Sequence, residues 1–382
     1  MVLIIHFYTF AFRGDTMTEK LKHSLTIILT ICFLGGFAVW GILKPADTES
    51  VSERRPLAAF PSLNAASVFS GKFMTDFESY TLDQFPLRDR FRTVKAATTF
   101  YVFGQKDNHD IYIEDGYASK LEYPMDTESI GYAAKRFQFV YDKYFADKDV
   151  TVYLAVIPDK NYFMAQKNGY PSMDYETFIN ELQNRMEFAT YIDIFPFLEL
   201  SDYYRTDTHW RQEQISDVAR HLASVMGVSL SADYTKKMID TPFYGVYYGQ
   251  SALPLATDEL YYLDNAVLRE CMVYDYETES YIPVYDLEKA EGNDPYELFL
   301  SGSKSLLTLE NPSAASDREL IIFRDSFGSS LAPLLVDGYQ KITLVDIRYI
   351  SPNVLDQFLS FEHQDILFLY STSVLNNSVT IK

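Results

Sequence analysis

Short, almost unbroken apolar runs alternating with helix-patterned stretches constrain this chain more than any other feature. "DVTVYLAVIP" (149–158) is the clearest, followed by "TYIDIF" (190–195), "ELIIF" (319–323), "KITLVDI" (341–347) and "DILFLYS" (365–371). A strand that is apolar at nearly every position must be covered on both faces, as in a parallel sheet. Helical spacing of apolar residues marks "SIGYAAKRFQFVYDKYF" (129–145), "RQEQISDVARHLASVMG" (211–227) and "SSLAPLLVDGY" (329–339). Strands alternating with helices predict an open α/β fold, a parallel sheet with helices on both faces. The Tyr-rich segment 228–318 breaks this rhythm and reads as an insertion over the sheet. Upstream, Ser62 to Gly104 reads as helical with an interruption at Pro86, and "DIYIEDGYAS" (110–119) as a hairpin turning at Asp115–Gly116.

A second constraint lies near the N-terminus. Residues 25–43, "LTIILTICFLGGFAVWGIL", carry no charge, and about 20 apolar residues span a bilayer as a helix. Lys20, Lys22 and His23 precede this run, which predicts a cytoplasmic N-terminus and a body outside. Lys44 and the Arg54–Arg55 pair weaken that orientation without reversing it. A cleaved signal peptide is the alternative, but no small-x-small site follows the run. Translation begins at Met1 or at Met17, whose "MTEKLKH" makes the better cytoplasmic head. The expected organisation is a cytoplasmic stretch (1–24), an anchor (25–43), a juxtamembrane linker with a helical and hairpin lead-in (44–125), and an α/β domain (126–382). Cys32 and Cys271 do not form a plausible disulfide, and an exported body without disulfides fits a bacterial cell surface.

A net charge of −20 argues against a nucleic-acid partner, since no basic stripe offsets it for phosphate contact. The 16% aromatic share could line a carbohydrate groove, although most rings belong in cores.

Ligands of open α/β sheets bind at the carboxyl ends of the strands. There "ELIIFRDSFGSSLAPLL" runs from a buried strand through Arg324, Asp325 and Ser326 straight into a helix. Amide donors around Ser326 and Phe327 would face an oxyanion at that helix start. A serine nucleophile needs a base, and His209 follows Asp207 by two residues in "TDTHW". In extended chain, residues i and i+2 point the same way, so Asp207 could orient the imidazole while its other nitrogen meets Ser326. The bland readings are a helix-capping Ser326 and a loop in which Asp207 bonds its own backbone. Lys160 and Tyr349, after other strands, and Arg324 itself are candidates for substrate contact. One Asp and one His make half a metal site at most, so neither a metal nor any other cofactor is expected.

These residues resemble the DHHW proteins of Gram-positive bacteria, relatives of the SGNH-hydrolase-like enzymes that O-acetylate alginate and other surface polysaccharides. The resemblance rests on an ordered set: "SERRPLAAFPSL", "DQFPLRDRF", "IYIEDGYAS", "VIPDKNYF", "TDTHW", "YGVYYGQ", "YELFLSG", "RDSFGSSLAPLL" and "LVDIRYI". It implies a flavodoxin-like SGNH sheet, with Asp207 as acid, His209 as base and Ser326 as nucleophile. It further implies a membrane-anchored acyltransferase or esterase acting on O-acetyl groups of a cell-surface glycan, with a membrane-bound O-acyltransferase as donor. Thr208 stands where the family motif has its second histidine, and Arg324 where SGNH enzymes have glycine. The SGNH oxyanion asparagine has rival counterparts in "GND" (292–294) and Ser303, and neither is assigned. The competing expectation is a catalytically inactive scaffold that binds glycan or assembles the envelope.

Overall fold

The computed structural model describes residues 18–382, which form two compact units. The smaller contains residues up to Val51 together with Arg55–Val94, and the larger contains Ser52–Arg54 and Lys95–Lys382.

The smaller unit opens with a 25-residue helix, Glu19–Leu43, none of whose side chains is buried. An 18-residue stretch within it has a mean hydropathy of 2.2, and with its length this fits a single-pass membrane anchor. The helix starts six residues before the apolar run because "EKLKHS" contains no residue that stops it. Further on, Arg55 grips Asp83 through two hydrogen bonds of 3.0 and 2.6 Å. That pairing, partly opposed by burial, holds the Asp83 carboxyl down at about 2.

The larger unit is built on an eight-stranded sheet. In chain order its strands are β1 (Thr151–Ile157), β2 (Thr190–Tyr191), β3 (Met272–Asp275), β4 (Ser280–Ile282), β5 (Leu306–Glu310), β6 (Glu319–Arg324), β7 (Lys341–Val345) and β8 (Asp365–Ser371). They lie in the order β4-β3-β5-β7-β6-β8-β1-β2. From β7 to β2 every neighbour is parallel, whereas β5, β3 and β4 are joined antiparallel.

Strand periodicity explains why the runs are apolar throughout. In β1, Tyr153, Ala155 and Ile157 enter one core layer, and Val152, Leu154 and Val156 enter the other. β6 divides in the same way, with Leu320 and Ile322 on one side and Ile321 and Phe323 on the other. The first face packs helices α3 (Ser216–Val225) and α4 (Gly328–Leu335), and the second packs α1 (Thr127–Tyr144) and α2 (Tyr175–Arg185). Full burial of each large aliphatic chain contributes about 2 kcal/mol.

Part of the segment 228–318 joins the sheet edge as β3, β4 and β5, while its strands Thr235–Phe243 and Asp258–Asp264 pair in a separate two-stranded sheet. Its strand "LLTLE" is buried at four of five positions, but the Tyr-rich stretches around it mask the pattern. "TYIDIF" narrows to the two residues of β2, an edge strand that ends as Phe195–Phe197 turns into a 3-10 helix containing Pro196. The stretch from 211 becomes helical only at Ser216, after a 3-10 turn at Gln212–Gln214. The hairpin lies where expected, Ile111–Glu114 against Tyr117–Lys120.

Candidate active site

The carboxyl ends of β1, β6, β7 and β8 converge on one edge of the sheet, and Ser326 follows β6 near the middle. The cap of α4 is Phe327, without a side-chain bond, so Ser326 does not serve as a helix cap. Asp325 secures the turn: its Oδ1 accepts the Phe327 amide at 3.1 Å and its Oδ2 accepts the Ser371 amide at 2.7 Å. Gly328 permits the turn as well, since a Cβ there would lie 2.8 Å from the Arg324 side chain.

With its turn secured elsewhere, the Ser326 hydroxyl meets His209, at 2.7 Å from Nε2. His209 Nδ1 lies 2.6 Å from Asp207 Oδ1. With Nδ1–H donated to this carboxylate, Nε2 holds its lone pair toward the hydroxyl. Asp207 is fully buried, and its Oδ2 accepts the Val246 amide at 2.8 Å. Burial pushes the Asp207 carboxyl up, but the His209 ring and then Arg54 outweigh it, holding the group below its ordinary value.

The loop carrying the pair is closed by the bridge between Tyr203 and Trp210. Asp258 accepts the Arg205 and Thr206 amides, both at 2.8 Å, and Lys160 Nζ donates to the Tyr204 and Arg205 carbonyls at 2.8 and 3.2 Å. The wall behind the imidazole is Tyr296, stacked at 3.8 Å between centroids and 7° between planes. Trp210 packs edge-on against Phe327 and donates to Ser330 Oγ, which also bonds the Tyr296 hydroxyl.

A pocket of about 210 Å³ opens over the serine, lined by His209, Ser326, Asp294, Ser303, Arg348 and Tyr349 among others. Of the candidates for substrate contact, only Tyr349, half exposed, reaches it. Lys160 lies buried behind the Asp207 loop, where burial, partly opposed by Asp207 and Asp258, lowers its ammonium to about 7. Arg324 is fully buried, with Nη1 3.8 Å from Asp346, and cannot touch a ligand.

The Phe327 amide expected to face an oxyanion is engaged by Asp325, and the Gly328 and Ser329 amides bond the Asp325 and Ser326 carbonyls. Among the described residues, the Ser326 amide has no hydrogen-bond partner. Across the pocket, Ser303 follows three left-handed residues, Leu300, Ser301 and Gly302 (φ 55°, 56° and 87°). In "GND", Asp294 and not the asparagine lines the pocket.

Spacing alone also missed Tyr296, Arg348 and Arg54. Arg348 lines the pocket and pairs with Asp346 through bonds of 2.9 and 2.6 Å. Arg54 Nη1 lies 2.8 Å from Asp294 and 3.6 Å from Asp207. Their only signal lay in the strings "YELFLSG", "LVDIRYI" and "SERRPLAAFPSL" that carry the family resemblance.

Solved structures share this arrangement of elements. A DHHW family protein from Eubacterium siraeum DSM 15702 superposes with a TM-score of 0.56 at 20% identity, covering 71% of this chain and 93% of that one. The chain has the fold of a DHHW family protein. PatB1 from Bacillus cereus, solved with a sulfonyl adduct, shares this fold with a TM-score of 0.53 at 16% identity, covering 69% and 95% of the two chains. The O-acetyltransferase domain of Pseudomonas putida AlgJ aligns with a TM-score of 0.43 at 12% identity, over 70% and 92%. No family model and no curated protein matches the sequence.

Proposed function

We propose that this chain is a membrane-anchored, serine-dependent acyltransferase or esterase acting on O-acetyl groups of a cell-surface polysaccharide. The observation that carries the reading is the relay of 2.7 and 2.6 Å from Ser326 through His209 to Asp207 at the floor of an open pocket. This is the geometry an activated serine requires. Ser326 Oγ attacks the ester carbonyl as His209 Nε2 takes the hydroxyl proton, and Asp207 steadies the imidazolium. The Ser326 amide faces the oxyanion, with the Ser303 loop as the opposing wall. His209 then returns the proton to the departing oxygen, leaving an acetyl ester on Ser326. A sugar hydroxyl next surrenders its proton to His209 and attacks that ester, regenerating the serine; water in its place makes the reaction a hydrolysis.

The Glu19–Leu43 helix holds the chain in the membrane with its N-terminus cytoplasmic and the catalytic unit outside, where a membrane-bound O-acyltransferase supplies the acyl group.

A fluorophosphonate probe on the full-length protein tests the reading. Labelling should disappear in Ser326→Ala and fall steeply in His209→Ala. A folded protein that takes up no probe and turns over no acetyl ester would instead favour a glycan-binding scaffold. Mass analysis of an acceptor glycan separates transfer from hydrolysis.

A further inference from the structure

The carboxylate at the end of the relay has a second partner from outside the sheet. We propose that Arg54 is a positioning residue: its guanidinium is the counter-charge shared by Asp207 and Asp294, and it locks the Asp207–His209 pair in register. The inference rests on reading Ser326, His209 and Asp207 as a triad.

Arg54 is held by geometry that a surface arginine does not have. Nη1 sits 2.8 Å from Asp294 Oδ1 and 3.6 Å from Asp207 Oδ2, with the side chain only 14% exposed. Nη2 donates to the Tyr244 carbonyl at 2.8 Å, which fixes the plane of the guanidinium. A lysine would concentrate its donors on one nitrogen, where the planar guanidinium spreads them over two that meet different partners. The backbone is committed too. Arg54 adopts φ +52°, a left-handed conformation costly for a residue with a Cβ. The neighbouring Ser52 carbonyl lies where a Cβ on Gly249 would be, only 1.5 Å away, so glycine alone admits the segment.

The need for a cation follows from what surrounds Asp207. His209 faces it from its own loop, and Asp294 approaches from the turn before Tyr296. Lys160 lies behind the loop with Asp258, which accepts the Thr206 amide, and the hydroxyls of Tyr204, Tyr247 and Tyr296 are further titratable neighbours. Burial, and next the charge of Asp207, raises the Asp294 carboxyl, while Arg54 and His209 oppose the rise. Without Arg54, two neighbouring carboxylates lose their shared partner. The site then gains affinity for a proton.

The test uses the full-length chain in detergent and follows fluorophosphonate labelling of Ser326 across pH. Arg54→Ala should slow labelling at neutral pH roughly tenfold or more and move the acid limb upward by about one pH unit. Arg54→Lys should recover part of the rate. Adding Asp294→Asn to Arg54→Ala should bring the acid limb back toward wild type, because the second carboxylate is gone. A folded Arg54→Ala protein with an unmoved acid limb overturns the proposal, even if its melting temperature falls. So does an Asp294→Asn addition that restores nothing. Thermal melts of the two single variants and the double variant give a cycle that needs no activity: coupling between Arg54 and Asp294 supports the shared bridge, and strict additivity overturns it. Labelling that survives in Ser326→Ala removes the triad reading itself, and the cycle then still judges the bridge.

Discussion

Replacing Asp207 by asparagine should disable the site through the imidazole tautomer, with little change in shape. The two carboxylate oxygens accept from different donors. Oδ1 takes His209 Nδ1 at 2.6 Å and the His209 amide at 3.1 Å, while Oδ2 takes the Val246 amide at 2.8 Å with Arg54 at 3.6 Å. An asparagine can place its oxygen at only one of these positions. With oxygen toward His209, its NH2 meets the Val246 N–H and the guanidinium, donor against donor. With oxygen toward Val246, its NH2 faces Nδ1, so the ring must accept there and carry its proton on Nε2, aimed at Ser326, which it can then no longer deprotonate. Either arrangement forfeits a charge-assisted bond of about 1.5–3 kcal/mol, and misassignment of the tautomer costs about 10⁴-fold in turnover. Labelling of Ser326 by the fluorophosphonate, followed beside thermal melts, measures both quantities. Stability has a signed pH dependence as well. The depressed carboxyl of Asp207 contributes stability that is present above its ordinary value of 3.8 and is lost as pH falls toward its folded value, so the variant should show less acid sensitivity than wild type. A folded Asp207→Asn protein labelling within tenfold of wild type would refute the reasoning.

Other substitutions probe the support around the relay. Tyr296→Ala removes the ring stacked on His209 and should cost about 3–5 kcal/mol in denaturant unfolding along with most labelling, whereas Tyr296→Phe keeps the stack and loses only the bond to Ser330, about 1 kcal/mol. Gly328→Ala drives a methyl against Arg324 and should destabilise by about 1–3 kcal/mol. Lys160 releases its proton at about 7 when folded and at 10.5 ordinarily, so the unfolded chain binds more protons between those values and stability rises with pH there; Lys160→Met should remove that rise in melts taken from pH 7 to 10.

Much of this architecture was legible because burial on both faces leaves its mark along a single strand. β1, β6, β7 and β8 are parallel core strands whose apolar residues meet one helical layer or the other, and continuous apolar runs announce them. β3 and β4, at the antiparallel edge, expose part of their residues and so carry no such run. Asp207 and His209 were visible because they sit two apart, and Ser326 because it ends a core strand. Arg54, Tyr296 and Arg348 arrive from three other segments, and proximity created by folding has no periodicity to read. Lys160 and Arg324 teach the converse: both lie at strand ends on the reactive edge, yet both are buried behind it, holding backbone carbonyls in place.

Part of the pocket wall has a separate origin from the relay. Asp294, Ser303 and the strained turn before Ser303 all lie on the connection between β4 and β5, in the antiparallel margin of the sheet, while Ser326 and its turn belong to the parallel centre. Exchanging that connection leaves the hydrogen-bond ladder of β7, β6, β8 and β1 untouched. On the proposed reading, rewriting that one marginal excursion would change this part of the pocket lining while Ser326, His209 and Asp207 stayed where they are. Tyr296 is the toll on such exchange: any replacement must still lay an aromatic ring flat against His209.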